Sequence, residues 1–316
     1  LKFLVTGGAG FIGSNIVCRL IENGQAVRVL DNFATGQRGN LIKFTGDIEL
    51  IEGDIRDFWT VAKATKGIEC IIHEAALPSV LRSIDNPLTT TEVNVNGTLN
   101  LLEAARINDV RRLVYASSSS VYGDSPEKSK SEELKPKPKS PYAITKLAAE
   151  EYCLIFHQLY GLETVALRYF NVFGPQQNPN SQYSAVIPKF IVQMIQGQSP
   201  TINGDGMTSR DFTFVENVVK ATLLASEKEK AIGRVINVGC GHAYAINELV
   251  SSLNQILNTN IAPKYAPEIK GEVKHSLADI SRANELLGYH PEIDFIEGLK
   301  KTIAWFKSNP PPTGSE

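Results

Sequence analysis

Short apolar runs alternate with helix-length segments over the first two thirds of the chain. Phe3-Leu4-Val5, Ala26 to Leu30 (closed by Asp31), Ile48 to Ile51, Cys70 to His73, Arg112 to Ala116, Glu163 to Leu167 and Arg234 to Val238 predict seven strands. These runs show little alternation of apolar and polar residues, which is the pattern of strands covered on both faces. Between them lie segments with helical spacing. One runs from Phe11 to Asn23 and is stopped by Gly24. A second, Glu92 to Arg106, carries Val95, Leu99, Leu102 and Ala105. A third, Pro141 to Leu159, carries Ala148, Tyr152, Ile155 and Phe156, with Pro141 suited to a first helical turn. Strands separated by helices predict right-handed βαβ units, hence an α/β fold built on a doubly wound parallel sheet. After Phe170 the chain turns polar and loop-rich, which predicts a smaller α/β lobe, and Asp211 to Val238 reads as a return to the sheet.

Composition adds exclusions. With 42% hydrophobic and 21% charged residues over 316 positions, the chain can bury a large core. Lys plus Arg (32) nearly balances Asp plus Glu (34), so nothing calls for nucleic acid or an acidic membrane surface as partner. No apolar run reaches the roughly 18 residues of a membrane span. No signal peptide is read, since the first residues read as a strand. Cys18, Cys70, Cys153 and Cys240 are far apart and form no CxxC pair; they read as reduced packing residues in a cytoplasmic protein, with no metal site expected.

The first chemistry lies between the first strand and the first helix. Gly7, Gly10 and Gly13 follow a G-x-x-G-x-x-G spacing. Gly7 permits a tight turn, Gly10 lets a pyrophosphate approach the backbone, and Gly13 lets helix and strand pack closely. The helix start then offers unpaired N–H groups to phosphate. Asp31 stands 21 residues after Gly10, at the end of the second strand, where a carboxylate accepts the ribose hydroxyls of NAD and repels the 2′-phosphate of NADP. Asp54 and Ile55, at the end of the third strand, are candidate adenine contacts; a solvated strand-end Asp is the competing reading. The sheet is therefore read as Rossmann-type, with NAD as cofactor.

The second constellation is Tyr142-Ala143-Ile144-Thr145-Lys146, a phenol and an ammonium one helical turn apart. Ser117-Ser118-Ser119-Ser120 ends the fifth strand, and such sheets carry their sites at the C-terminal ends of strands. A phenol titrating near 10 acts as a base only if its anion is stabilised, and a neighbouring Lys and a cationic nicotinamide would do so. The implied chemistry is removal of a hydroxyl proton while a carbinol hydride leaves for NAD.

These residues carry a resemblance across nearly the whole chain, from Phe3 to about Trp305. GGAGFIGS (7–14), DNFATG (31–36), GDIRD (53–57), HEAALPSVLRS (73–83), NVNGTLNLL (94–102), SSSSVYGD (117–124), SPYAITK (140–146), RYFNVFGPQQNP (168–179), VIPKF (186–190), INGDGMTSRDF (202–212) and VKHSLADIS (273–281) resemble the nucleotide-sugar 4-epimerases of the extended short-chain dehydrogenase/reductase family, above all the branch acting on UDP-N-acetylglucosamine. The resemblance implies that Ser118, Tyr142 and Lys146 are catalytic, with Tyr142 the base. It implies a cofactor site of Gly7, Gly10, Phe11, Ile12, Gly13, Asp31, Asn32, Phe33, Ala34, Thr35, Gly36, Asp54, Ile55, Ala75, Ala76, Asn94, Ser117, Tyr142, Lys146 and Phe170. It implies a UDP-sugar site of Pro78, Ser79, Ser118, Ser119, Ser120, Tyr142, Asn171, Val186, Ile187, Lys189, Ile202, Asn203, Arg210, Glu272 and Ser276, with Arg210 on the diphosphate. Residues 1–170 and 211–238 would form the NAD-binding domain, 171–210 and 239–309 the UDP-sugar lobe, and 310–316 a disordered tail. A homodimer is implied, through the helices holding Leu99–Leu102 and Ala148–Phe156; the alternative is that these faces pack on the sheet.

Some positions narrow the substrate. Epimerases restricted to UDP-glucose and UDP-galactose carry a bulky Tyr at the place of Ser276, so a Ser there makes room for a 2-acetamido group. Related dehydratases carry Asp-Glu where this chain has Ser119-Ser120, which argues against dehydration. Pro78 replaces a Lys of galactose-type enzymes, and Ile269 replaces an Arg on the diphosphate, with Lys270 as substitute and Glu272 at a ribose. The expected function is NAD-dependent conversion of UDP-N-acetylglucosamine to UDP-N-acetylgalactosamine through a 4-keto sugar. Three rivals stay open: a UDP-glucose/UDP-galactose epimerase, a decarboxylase or reductase on a UDP-sugar, and a non-enzymatic NAD-sensing module on the same fold.

Overall fold

A computed structural model describes residues 1–125, 127–179, 185–268 and 274–310. Seven strands, β1 (Lys2–Thr6), β2 (Ala26–Asp31), β3 (Ile48–Glu52), β4 (Cys70–His73), β5 (Arg112–Ser118), β6 (Glu163–Tyr169) and β7 (Arg234–Val238), form one sheet in the order β7-β6-β5-β4-β1-β2-β3. All six pairings are parallel. The order reverses between β1 and β4, and the C-terminal ends of these two strands flank the crevice where such sheets bind ligands.

The apolar runs behave as two-sided strands: β4 is buried throughout and β1, β2 and β6 nearly so. The exception is β3, at the sheet's edge, where Glu49, Leu50 and Glu52 are exposed. Strands β5 and β6 run two residues past the predicted ends, which carries Ser118 into register with Tyr169. The Phe11–Glu22 helix starts at Gly10 without a side-chain cap. The Pro141–Tyr160 helix starts on Ser140, whose hydroxyl accepts from Ala143 N (3.2 Å), and ends on left-handed Gly161. The predicted Glu92–Arg106 helix opens with a wide π turn, Glu92–Asn96, and is α-helical over Gly97–Ile107. That turn brings the Asn94 amide onto the Leu77 backbone and the Thr145 hydroxyl, and a Cβ at Gly97 would lie 2.6 Å from the Ile55 side chain.

The smaller part holds a three-stranded sheet, Tyr244–Ala245, Ser209–Arg210 and His275–Ser276, and the helices Val186–Ile195, Ile246–Leu257 and Phe295–Ser308. It shares a core with the large sheet: one apolar cluster runs from Val5, Ile16 and Leu20 through Phe173, Phe190 and Phe214 to Leu299 and Phe306. Aromatic rings carry this junction, with Phe173 edge-on to Phe212, Phe214 and Phe295. The 210-to-238 return joins both sides, as Thr213–Phe214 pairs with Val172–Phe173, and the Val215–Glu227 helix packs beside the Phe11–Glu22 helix.

The faces expected to pair between two copies are partly covered by the chain itself. Leu101, Leu102, Cys153 and Phe156 are buried against the chain's own sheet. Of the expected face on the helix Pro141–Tyr160, Tyr152 and Ile155 are exposed, in a row with Ile144 and Leu159.

A buried ion pair underlies β5. Glu150 and Arg168 meet at 2.5 Å with both side chains almost fully buried, and the Ser117 hydroxyl donates to Glu150 (2.7 Å). Replacing Glu150 by Ala strands the Arg168 charge, so Glu150→Ala is expected to lower unfolding free energy by about 3–5 kcal/mol in a urea titration. At the junction core, a Cβ at Gly298 would meet ring carbons of Phe173 and Phe214 at 2.8 and 2.9 Å. Gly298→Ala is expected to cost about 1–3 kcal/mol in the same titration, whereas Gly39→Ala, with nothing within 4 Å, is expected to stay within about 0.5 kcal/mol of the parent.

Candidate functional site

The Gly turn after β1 is built by close packing. Gly7 has a φ of +69°, donates its N–H to Leu30 O (2.9 Å), and a Cβ there would lie 2.7 Å from Ala75 N. A Cβ at Gly13 would sit 2.2 Å from the Gly7 carbonyl oxygen. No side chain covers the start of the Phe11–Glu22 helix and no acidic residue occupies its first turn, so the cradle fits a pyrophosphate. Phe11 and Ile12 are half-buried there.

Asp31 is buried, and its two oxygens accept the N–H groups of Ala9 (2.9 Å) and Phe33 (2.8 Å). Burial raises its pKa despite these bonds. The carboxylate thus ties the Gly turn to the turn after β2. Phe33 has positive φ, Ala34 and Thr35 are exposed, and Gly36 packs on Ala9. Arg38 stacks over Phe33 (3.9 Å) and pairs with Glu52. Asp54 accepts from Asn32 (2.8 Å) and from Arg56, whose guanidinium pulls its pKa down to about 2. Ile55 is buried against Gly97.

Beyond β4, Ala75 and Ala76 line the crevice side of the Gly turn, half-buried, and Pro78 is exposed. Ser79, with φ at +102°, caps the helix Val80–Asp85. Asn94 is buried behind this segment, its amide held by Leu77 and Thr145. Ser117 also faces the interior, toward Glu150, and Phe170 is fully buried against Tyr122.

Ser118 stands at the last position of β5, where its Oγ accepts from Ser120 N (3.2 Å), and its hydroxyl favours the Tyr142 phenolate. Ser119 is half-buried, and the Ser120 hydroxyl is buried without a hydrogen-bond partner among the described residues. Burial pushes the Tyr142 phenol up to about 12, outweighing the Ser118 bond. Lys146 is buried, donates to Ala116 O (2.7 Å), and lies over the Tyr115 ring (5.0 Å); burial pushes it down to about 8. A positive charge beside Tyr142 would favour its anion against this burial.

A second region lies past the end of β6. A cavity of about 310 Å³ is lined by Asn171, Val186, Ile187, Ile202, Asn203 and Arg210, with Phe190 and Phe212 behind them. Lys189 is exposed and not part of its lining. Asn171 bridges the two regions: it lies two residues after Tyr169, the register partner of Ser118, and its amide donates to Asp211 O (3.1 Å). Arg210 donates to the carbonyls of Ser209 and Lys274, and is the strand partner of half-buried Ser276. Glu272, like Ile269 and Lys270, lies outside the described residues.

Sequence reasoning assigned no role to several polar residues that the structure brings to this site. Asp211, fully buried, accepts from Cys240 N (2.8 Å), Gly241 N (3.0 Å) and Ala278 N (3.1 Å), while its own N–H donates to Ser276 O (2.7 Å). His73 joins the Thr6 and Thr98 hydroxyls, and burial drives it down to about 3, so it is neutral. Glu74 follows it at the crevice, bonded to Tyr169 (2.9 Å). Both lie within the 73–83 motif, which signalled the place but not the partners. Among the described residues no helix is long and apolar enough to cross a membrane, and no cluster of three or more His, Cys, Asp or Glu could hold a metal.

Residues 3–239 match the model of the NAD dependent epimerase/dehydratase family. Among curated proteins, the UDP-glucose 4-epimerase of Mycolicibacterium smegmatis is 37% identical over 312 residues, covering 98% of this chain and 99% of its own. Among solved structures, the UDP-N-acetylglucosamine 4-epimerase of Methanobrevibacter ruminantium, in complex with UDP-N-acetylmuramic acid, is 41% identical, covers 98% of both chains and superposes with a TM-score of 0.93. The UDP-glucose 4-epimerase of Thermotoga maritima with UDP-glucose is 36% identical, covers 98% of this chain and 99% of that one, with the same TM-score of 0.93.

Proposed function

The chain belongs to the NAD dependent epimerase/dehydratase family, in its nucleotide-sugar 4-epimerase branch, and from that premise we propose that it interconverts UDP-N-acetylglucosamine and UDP-N-acetylgalactosamine. The observation that carries the reading is the pairing of two sites: Ser118, Tyr142 and Lys146 gathered at the C-terminal end of β5, and the cavity of about 310 Å³ past β6, joined by Asn171. The Arg210–Ser276 strand pair supports the acetylated sugar, because the small Ser276 is the register partner of the Arg that would meet the diphosphate.

NAD, when bound, supplies the hydride acceptor for sugar C4 and a positive charge beside Tyr142. The Gly7–Gly13 turn and the helix start would hold its pyrophosphate, and Asp31 its ribose. Tyr142 takes the proton of the sugar 4-OH as the C4–H bond gives up its electron pair, leaving a 4-keto sugar. Ser118 shares the hydrogen bond to that oxygen, and Lys146 steadies the phenolate's charge. When hydride returns to the opposite face, Tyr142 gives the proton back, so there is no net oxidation. The uridine end, held in the cavity by Ile187, Ile202 and Arg210, anchors the molecule while the hexose turns; binding strength is thereby placed on the part that does not react. The exposed row Ile144, Tyr152, Ile155 and Leu159 supports a homodimer through the Pro141–Tyr160 helix.

Incubated with UDP-N-acetylglucosamine, the purified protein is expected to yield the 4-epimer by NMR; absence of epimer even with added NAD would sink the proposal. Tyr142→Phe is expected to lose at least about 100-fold in kcat while UDP-sugar binding by calorimetry is kept; near-normal turnover would refute the base assignment. Ser276→Tyr is expected to depress turnover of the acetylated sugar relative to UDP-glucose by about 10-fold or more, and an unchanged ratio would remove the pocket argument.

A further inference from the structure

Two elements of the site lie far apart in the chain and are joined behind it. One is the short turn Ser119–Tyr122, capped by the Ser118 hydroxyl. The other is the strand His275–Ser276 with the residues that follow it. Between them stands Asn237 on β7, fully buried. Its Oδ1 accepts from the Tyr122 hydroxyl (2.7 Å), and its Nδ2 donates to Lys130 O (2.8 Å) and Asp279 O (3.1 Å). Its backbone N–H, on the end strand of the large sheet, donates to Glu132 Oε1 (2.7 Å). An amide suits this place: it offers an acceptor to a phenol and two donors to two carbonyls.

The segment around Lys130 completes the join. Lys130 N donates to Leu277 O (2.8 Å) and Lys130 O accepts from Asp279 N (2.9 Å), a one-residue parallel bridge opposite Ala278. Lys130 is buried, and its ammonium closes the segment on itself through Ser125 O (2.6 Å) and Glu127 O (2.7 Å). Lys137 N then returns to Val121 O (3.0 Å), beside Tyr122. The chain thus leaves the Ser119–Tyr122 turn, fastens residues 277–279 and comes back to the turn it left. From the other side the same stretch is fastened by Asp211, through Ser276 O (2.7 Å) and Ala278 N (3.1 Å). Asp211 holds Ser276 against Arg210, while Asn237 and the Lys130 segment hold the Ser276 strand against the turn that carries Ser119 and Ser120.

We propose that Asn237 is a positioning residue that sets the gap between the Ser118–Ser120 turn and Ser276, and with it the preference for a 2-acetamido sugar. The proposal rests on the reading of Ser276 as the residue that makes room for that group. A small side chain leaves room only if its strand is held in place; a strand free to slide inward would fill the space. A sugar without the acetamido group does not use that space, so its turnover depends less on the join. The Arg210 side keeps its own fastening, because the bonds of Asp211 do not pass through Asn237.

Two variants test this. Asn237→Ala removes all three side-chain bonds. Tyr122→Phe removes only the phenol's bond to Asn237 and keeps a ring against Phe170. The ratio of kcat/KM for UDP-N-acetylglucosamine to that for UDP-glucose is expected to fall about 3-fold or more in Asn237→Ala and about 2-fold in Tyr122→Phe, with UDP affinity by calorimetry kept within about 2-fold. Amide hydrogen exchange over residues 275–281 is expected to quicken in both variants. An unchanged ratio, with turnover of both sugars lowered alike, overturns the proposal, and so does unchanged exchange over 275–281. If Asn237→Ala does not fold, Tyr122→Phe decides by the same two readouts. A Ser276→Tyr variant with an unchanged ratio overturns the underlying reading instead, so the two failures are told apart.

Discussion

Asp211 accepts three backbone N–H groups, two from the turn after β7 and one from Ala278, and donates its own N–H to Ser276. The nucleotide end of the site depends on this junction. It fixes the Ser209–Arg210 strand against the end of the large sheet on one side and against the Ser276 strand on the other. Burial lifts the carboxyl to about 6, and the three donors oppose that rise. Three N–H groups would lose their acceptor if the carboxylate left, at a cost of about 1–3 kcal/mol for each buried group stranded. Arg210 and Ser276 owe their side-by-side placement to it, and so does the position of Asn171, whose amide reaches the Asp211 carbonyl.

The catalytic end is governed by desolvation rather than by a ready-made base. Tyr142 is shifted up and Lys146 down by burial, so both groups are held toward their neutral forms. In the proposed reaction one carbon is oxidised and then reduced again, and a phenol that stays protonated until a hydride acceptor is in place suits that order.

Much of this was legible in the sequence, and for definite reasons. Parallel strands buried on both faces leave continuous apolar runs, so all seven were read to within two residues. Gly7 and Gly13 could be interpreted because close backbone approach leaves a glycine in the sequence; the 2.2 Å clearance at Gly13 is that constraint seen directly. Asp31 and the Tyr142–Lys146 pair were found by spacing. What the sequence did not disclose was direction. Ser117, Asn94 and Phe170 lie in motifs of the site, yet their side chains point into the interior, toward Glu150, Leu77 and Tyr122. Phe156 shares helical spacing with exposed Tyr152 and Leu159, and only the docking of the helix decides which stripe is covered. Asp211 and Glu74 are single carboxylates whose partners lie 29 to 95 residues away, beyond any local pattern.

The core at Gly298 has a consequence for motion. Phe173 and Phe214, which close on that glycine, belong to the same apolar cluster as Ile16 and Leu20 beneath the Gly turn. The two halves of the molecule therefore cannot swing apart as separate bodies without opening a shared interior. In the proposed reaction, the turn that presents the second face of the keto sugar would then come from torsions of the ligand itself, with the diphosphate link acting as the crank.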